Sequence, residues 1–176
     1  MDAGLLILRL AIGLLIAGHG IQKVSHRLGG HGIDGGAAEF RADGFRGGRL
    51  TAAAAGLGQI ASGLLFIAGA LTPLAATTAI GVMTVAITVK QHNGLWVQND
   101  GYEYPLILVI TPAALSLTGP GRWSLDHALG LTPWHPWWTA AATGLGVLSG
   151  LMTRALLHRP RPSSLSDEGT SAPRGR

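Results

Sequence analysis

Residues 50 to 89 read LTAAAAGLGQIASGLLFIAGALTPLAATTAIGVMTVAITV, forty consecutive residues without an Asp, Glu, Lys or Arg. A membrane-spanning helix takes about 20 predominantly apolar residues, so this stretch has the length of two spans. Thr72-Pro73 divides it near its middle, and proline just beyond a helix end is a stop signal. The expectation is a tight helical hairpin, residues 51 to 71 followed by residues 74 to 89.

The composition points the same way. Of 176 residues, 13 are Lys or Arg and 9 are Asp or Glu, 12% charged in all, against about 25% in soluble globular chains. The apolar fraction of 47% is ordinary, so the arrangement of apolar residues carries the information. Glycine is abundant, at 27 residues, roughly twice the usual ~7%. Small residues let helices approach closely in an apolar medium, and no Gly-x-y repeat suggests collagen. Cysteine is absent, which removes thiol exchange, iron–sulfur clusters, thiolate metal sites and covalent haem. No metal site is expected.

Outward from the hairpin, residues 3 to 24 form a first span interrupted by Arg9. It lacks a basic leader region and a cleavage site, so it reads as a retained anchor. Residues 25 to 49 are polar and Gly-rich, with Asp34 expected to cap a short interfacial helix that carries Phe40 and ends at Gly44. Residues 90 to 102 are turn formers. A fourth span, residues 103 to 118, has Pro105 in its first turn and Pro112 at an expected kink, and Gly119-Pro120-Gly121 stops it. An amphipathic segment, residues 122 to 131, precedes a fifth apolar stretch, residues 137 to 157, with Gly146 and Gly150 in Gly-x-x-x-Gly spacing. The fold class expected is an all-α polytopic membrane four-helix bundle over residues 1–126. An amphipathic segment and additional transmembrane helix follow over 127–158, and a disordered basic Pro/Ser-rich tail over 159–176.

Five spans place residues 25 to 49, residues 90 to 102 and the tail on one side, side B, together with eleven of the thirteen basic residues. The opposite side A keeps Arg9 and Arg122. By the positive-inside rule side B is cytoplasmic and the N-terminus outside. A pI of about 10.3 therefore reads as a topology signal and no nucleic-acid partner is expected. Trp96 falls at the B interface and Trp123, Trp134, Trp137 and Trp138 at the A interface, as aromatic belts do. If residues 137 to 157 lie on the membrane surface instead, the basic residues divide six against seven.

Ionisable groups in a membrane span are costly and are functional candidates by default. His19 and Lys23 lie about 40° apart on one face of the first span. Gln59 lies about 12 Å into the second span from side B. Lys90, His92 and Asn93 leave the third span there, and Glu103 starts the fourth. Topology alone thus brings His19, Lys23, Gln59, Lys90, His92, Asn93 and Glu103 to one end of the bundle. The chain uses eleven Arg and two Lys, and lysine is the cation whose pKa burial tunes; snorkelling from a helix end is the competing reading. For His19 the first reading is a histidine donating a hydrogen bond within the bundle, and the alternatives are a quinone-carbonyl donor, a proton relay or a haem ligand. Glu103 alternatively caps the fourth span. On side A, Arg9 and Asp126 are expected to form a structural pair.

In order along the chain, the matching residues Leu-Arg9-Leu, His19-Gly20-Ile-Gln-Lys23, Gly30-His31-Gly32, Gly63-Leu-Leu leading to Leu71-Thr72-Pro73, and Gly81-Val-Met83 are followed by His92-Asn93-Gly94, Gly101-Tyr102-Glu103-Tyr104 and Gly119-Pro120-Gly121-Arg122-Trp-Ser-Leu-Asp126. Over residues 5 to 126 this ordered set resembles the DoxX family of small bacterial membrane proteins. The resemblance implies a four-helix membrane bundle, and members include a subunit of thiosulfate:quinone oxidoreductase and membrane partners of redox or detoxification enzymes. The family's His, Lys and Glu positions map onto His19, Lys23 and Glu103. Where members often carry Glu in the second helix this chain has Gln59, which cannot ionise. Residues 127 to 176 lie outside the pattern.

Two functions follow as expectations. One is a subunit or partner of a membrane redox complex whose side-B cluster binds a quinone. The other is a non-catalytic scaffold docking a soluble partner, since no complete set of nucleophile, base and orienter is visible. Small-solute transport lacks support from broken helices or internal repeats. The Arg-over-Lys and Ala/Gly bias suggests a GC-rich bacterial genome and so a bacterial plasma membrane, with the lipid bilayer as the first partner.

Overall fold

The computed structural model describes residues 1–159. It contains α1 (Asp2–Val24), α2 (Gly32–Ala42), α3 (Arg49–Ala68), α4 (Thr72–Lys90), α5 (Glu103–Thr118), α6 (Leu125–Ala128) and α7 (Pro136–Leu157). Helices α1, α3, α4 and α7 are each long and apolar enough to cross a membrane, and α5 is a shorter apolar helix. The protein is an all-α polytopic membrane bundle.

The hairpin breaks slightly earlier than the sequence suggests. Gly69 adopts a left-handed conformation at φ 65° and closes α3, with the Ala70 N–H donating to the Leu65 carbonyl, the geometry that favours glycine at a helix C-terminus. Helix α4 then starts at Thr72, because a distant carboxylate caps it: Asp126 accepts from the N–H groups of Leu71 (2.6 Å) and Thr72 (3.0 Å). A partner 54 residues further along the chain sets that boundary.

Two glycine seams bring the helices together. Helices α1 and α3 run antiparallel with Gly13 against Gly63 and Gly20 against Gly56. A Cβ on Gly13 would lie 2.6 Å from the Gly63 carbonyl oxygen, and one on Gly20 would meet the Gly56 carbonyl and stand 2.8 Å from the Ile60 nitrogen. Helices α4 and α7 run parallel, and a Cβ on Gly146 or Gly150 would stand 2.8 Å from Ile80 Cβ or 2.6 Å from Thr84 Cβ. The Gly-x-x-x-Gly spacing thus marks a real seam.

Helix α7 follows α4 from end to end. Thr77 Oγ1 donates to the Ala142 carbonyl at 3.2 Å, and Arg154 Nη1 to the Thr88 carbonyl at 2.8 Å. At the α7 start, Thr139 Oγ1 donates to the Ser116 carbonyl at 2.8 Å. The fifth apolar stretch therefore runs through the bundle with the other long helices, not across its end. Ile12, Ile16, Phe66, Ile80, Leu108 and Leu115 form the apolar centre with Ala75, Ala76, Ala79 and Met83.

Local details refine the sequence reading. Asp34 lies inside the first turn of α2, whose cap is His31, and it pairs with Arg49 at 3.2 Å. Helix α5 runs continuously from Glu103 to Thr118 with Pro112 inside it. Only Leu125–Ala128 of the amphipathic segment is helical, capped by the Ser124 hydroxyl. Of the expected disordered tail, residues 160–176 lie outside the described residues; the Arg159 N–H donates to the Gly44 carbonyl at 2.8 Å.

Side A is closed by a polar clasp. Arg9, 1% exposed, donates from Nη1 to the Pro120 carbonyl at 2.6 Å and from Nη2 to the Trp123 carbonyl at 2.7 Å. Asp126, also 1% exposed, accepts the Thr72 hydroxyl at 2.7 Å and the Trp134 indole N–H at 3.1 Å besides the two amides. The expected direct Arg9–Asp126 pair does not form among the described residues. Each charge instead takes orphan backbone groups at helix ends, where the polar partners are. Gly69 sits between them: a Cβ there would meet Arg9 Nη1 and lie 2.5 Å from Ser124 Cβ.

Three substitutions test this packing. Gly20→Ala should lower the melting temperature of the detergent-solubilised protein by the equivalent of roughly 1–3 kcal/mol. Gly144→Ala, where a Cβ meets nothing within 4 Å, should leave it unchanged, and equal melting of the two variants would refute the seam. Asp126→Asn puts an amide donor toward four donors and should cost roughly 1.5–3 kcal/mol, read as thermal melting in the same detergent.

Candidate functional site

The end of α1 builds a cavity at side B. The Ser25 hydroxyl donates to the Ile21 carbonyl at 2.8 Å, and the Gly32 N–H returns to the Ser25 carbonyl at 3.2 Å. The chain folds back on its own helix, so that a Cβ on Gly30 would stand 2.6 Å from Gln22 Cα. Gln22 Nε2 pins this fold by donating to the Leu28 carbonyl at 2.7 Å. The result is a cavity of about 240 Å³ lined by His19, Lys23, Gln22, Gly29, Gly30, His31 and Glu39.

His19 and Tyr104 anchor its inner end, with Nε2 and the phenolic oxygen 2.9 Å apart and ring centroids 5.3 Å apart. Lys23 Nζ lies 3.9 Å from Glu39 Oε2 and 5.4 Å from the Phe40 ring centroid. That ion pair is long and open to solvent, where such pairs contribute little, so the ammonium is free to turn toward a ligand.

The other residues singled out from the sequence share this end of the bundle but not this cavity. Lys90 pairs with Asp100, and Asn93 Nδ2 donates to the Asp100 carbonyl at 3.1 Å. Glu103 Oε2 accepts the Val97 N–H at 3.1 Å, while its own N–H donates to the Leu95 carbonyl at 2.8 Å. These three frame the loop between α4 and α5. His92 lines a second cavity of about 500 Å³. Gln59 is 2% exposed, lines neither cavity, and its Oε1 has no partner among the described residues.

Tyr104, Glu39 and His31 were not among the residues singled out. Tyr104 follows Glu103 in the first turn of α5, and its signal was a hydroxyl at the depth of His19. Glu39 and His31 lie in the connection between the first two spans, where His31 entered the family resemblance but neither was read as a site residue. Asp43 is a further missed residue: partial desolvation holds its carboxyl above the ordinary range, while Lys90 and Lys23 pull it the other way. Its neutral form is the one the fold favours, so this stabilising contribution is present at low pH and is lost as pH rises through the folded-state range.

Residues 4–92 match the DoxX family model, just over half of the 176-residue chain. The chain belongs to the DoxX family. No curated protein and no solved structure matches it. The DoxX match takes in α1 to α4 and therefore His19, Lys23, Gln59, Lys90 and His92. Asn93, Glu103 and Asp126 belong to the wider resemblance, outside the matched residues.

If Glu103 staples the loop, Glu103→Ala should speed hydrogen exchange of the Val97 amide at least several-fold, whereas Glu103→Gln, which keeps an acceptor, should not. Equal protection in the two variants would show that the side chain does not hold the loop.

Proposed function

We propose that this DoxX protein is the membrane subunit of a redox complex and that the His19–Lys23 cavity takes a quinone head group. The observation that carries the reading is the pairing of two N–H-bearing side chains, His19 and Lys23, on one cavity of about 240 Å³ at the bundle end. A quinone carbonyl only accepts hydrogen bonds, and its ring needs a slot open toward the membrane. In this reading His19, held by Tyr104 at 2.9 Å, and Lys23, whose ammonium the long pair with Glu39 leaves free to turn, donate to carbonyl oxygens. The electrons come from a centre in a partner protein of the complex. The protein resides in a bacterial plasma membrane with side B cytoplasmic, which suits the basic residues gathered there.

A second reading, a non-catalytic scaffold docking a soluble partner, is favoured by one observation. Arg27, Arg41 and Arg46 are exposed on side B and enter no ion pair among the described residues.

Titration of the purified protein with a short-chain ubiquinone or menaquinone analogue separates the two. Wild type should bind saturably, and His19→Ala or Lys23→Ala should weaken binding about tenfold, the loss of one buried hydrogen bond to a ligand. Absence of saturable binding by wild type removes the quinone reading, and capture of a soluble partner that Arg41→Glu abolishes would favour the scaffold.

A further inference from the structure

The second cavity, of about 500 Å³, lies where α4, α7 and the connection after α2 meet at side B. Its walls are tied by backbone bonds: the Arg46 N–H donates to the Leu157 carbonyl at 2.9 Å and the Arg159 N–H to the Gly44 carbonyl at 2.8 Å. Phe45, 3% exposed, packs edge-on against the His158 ring at 5.3 Å between centroids. The site is thus a fixed concavity.

Its lining carries both signs of charge. Arg154 uses one guanidinium nitrogen on the Thr88 carbonyl at 2.8 Å, which orients the planar group and leaves further N–H donors of its five. His92, His158 and Gln91 line the same cavity, and so does the Asp43 carboxylate. A purely anionic ligand would face Asp43, and a purely cationic one would face Arg154. On α7, Leu151 is 47% exposed and lies about 60° round the helix from Arg154 and one turn further into the membrane, an apolar start for a chain leaving the cavity.

We propose that this cavity seats the phosphoethanolamine headgroup of an aminophospholipid, with Arg154, His92 and His158 on the phosphate, Asp43 on the primary ammonium, and the acyl chains along α7. Basic pockets between membrane helices bind lipid phosphates, and the carboxylate adds selection for a primary amine. An ammonium beside Asp43 also offsets the partial desolvation that disfavours its charged form. The site is separate from the quinone cavity and stands or falls apart from it.

The test uses delipidated full-length protein in detergent, with lipid binding read by native mass spectrometry and by thermal shift. Phosphatidylethanolamine should bind about fivefold or more tighter than phosphatidylcholine, whose quaternary ammonium has no N–H, and tighter than phosphatidylglycerol. Asp43→Asn should weaken phosphatidylethanolamine about fivefold and strengthen phosphatidylglycerol, as expected for one interfacial charge of about 1 kcal/mol. His92→Ala, an exposed position, should weaken both; it replaces Arg154 variants, which also disturb the α4–α7 contact. Equal binding of the three lipids by wild type overturns the proposal, as does an unchanged preference in Asp43→Asn. Free phosphoethanolamine binding as tightly as the lipid overturns the lipid source and makes a soluble ligand the occupant.

Discussion

A charged or polar group in an apolar medium must find a partner inside the protein, and the clasp at side A is where this constraint organises the bundle. Arg9 reaches from α1 to the carbonyls of Pro120 and Trp123 after α5. Asp126 reaches from α6 to the start of α4 and to Trp134 ahead of α7. The Asp126 N–H meets the Gly69 carbonyl at the end of α3. Arg9 and Asp126 therefore join α1 to the ends of α3, α4 and α5 and to the segment ahead of α7 without pairing with each other. Backbone groups left over at helix ends are polar enough to satisfy a charge and geometrically fixed, so the clasp specifies how the helices meet as well as neutralising the charges.

Between the two sides the bundle relies on close approach. Apolar side chains in lipid gain little from leaving it for one another, so association comes from packing and from polar contacts. The seams Gly13–Gly63, Gly20–Gly56 and Gly146–Gly150 against α4 supply that approach, and Thr77, Thr139 and Arg154 add hydrogen bonds along α7. Among the described residues side B has no comparable buried clasp. Its loops fold on themselves through Asp100, Glu103 and Gln22, which leaves two polar cavities where the helices diverge.

Much of the fold was legible because the forty-residue run, the proline at position 73 and the glycine-proline stop after α5 each act locally. Helix α5 begins and ends where its flanking residues place it. The start of α4 was misplaced because its cap, Asp126, is remote in sequence, and the cap of α2 was misassigned to Asp34 when His31 holds that position. The convergence of His19, Lys23, Lys90, His92, Asn93 and Glu103 on one end was legible from alternating spans alone. Their division between a cavity, a loop frame and a second cavity was not, because it depends on which way each side chain turns once the loops have closed.

The sequence by itself determined that this is a membrane bundle of the DoxX kind, with its charges, Arg9 apart, gathered toward the helix ends and loops, since hydropathy and span length act over single segments. Only the tertiary structure decided that α7 lies along α4, that Arg9 and Asp126 bind backbone and not each other, and that His19 and Lys23 share a cavity from which Glu103 is absent. The physical reason is that a buried polar group takes whichever partner the packing brings within reach, and reach across helices is a property of their arrangement and not of any one segment.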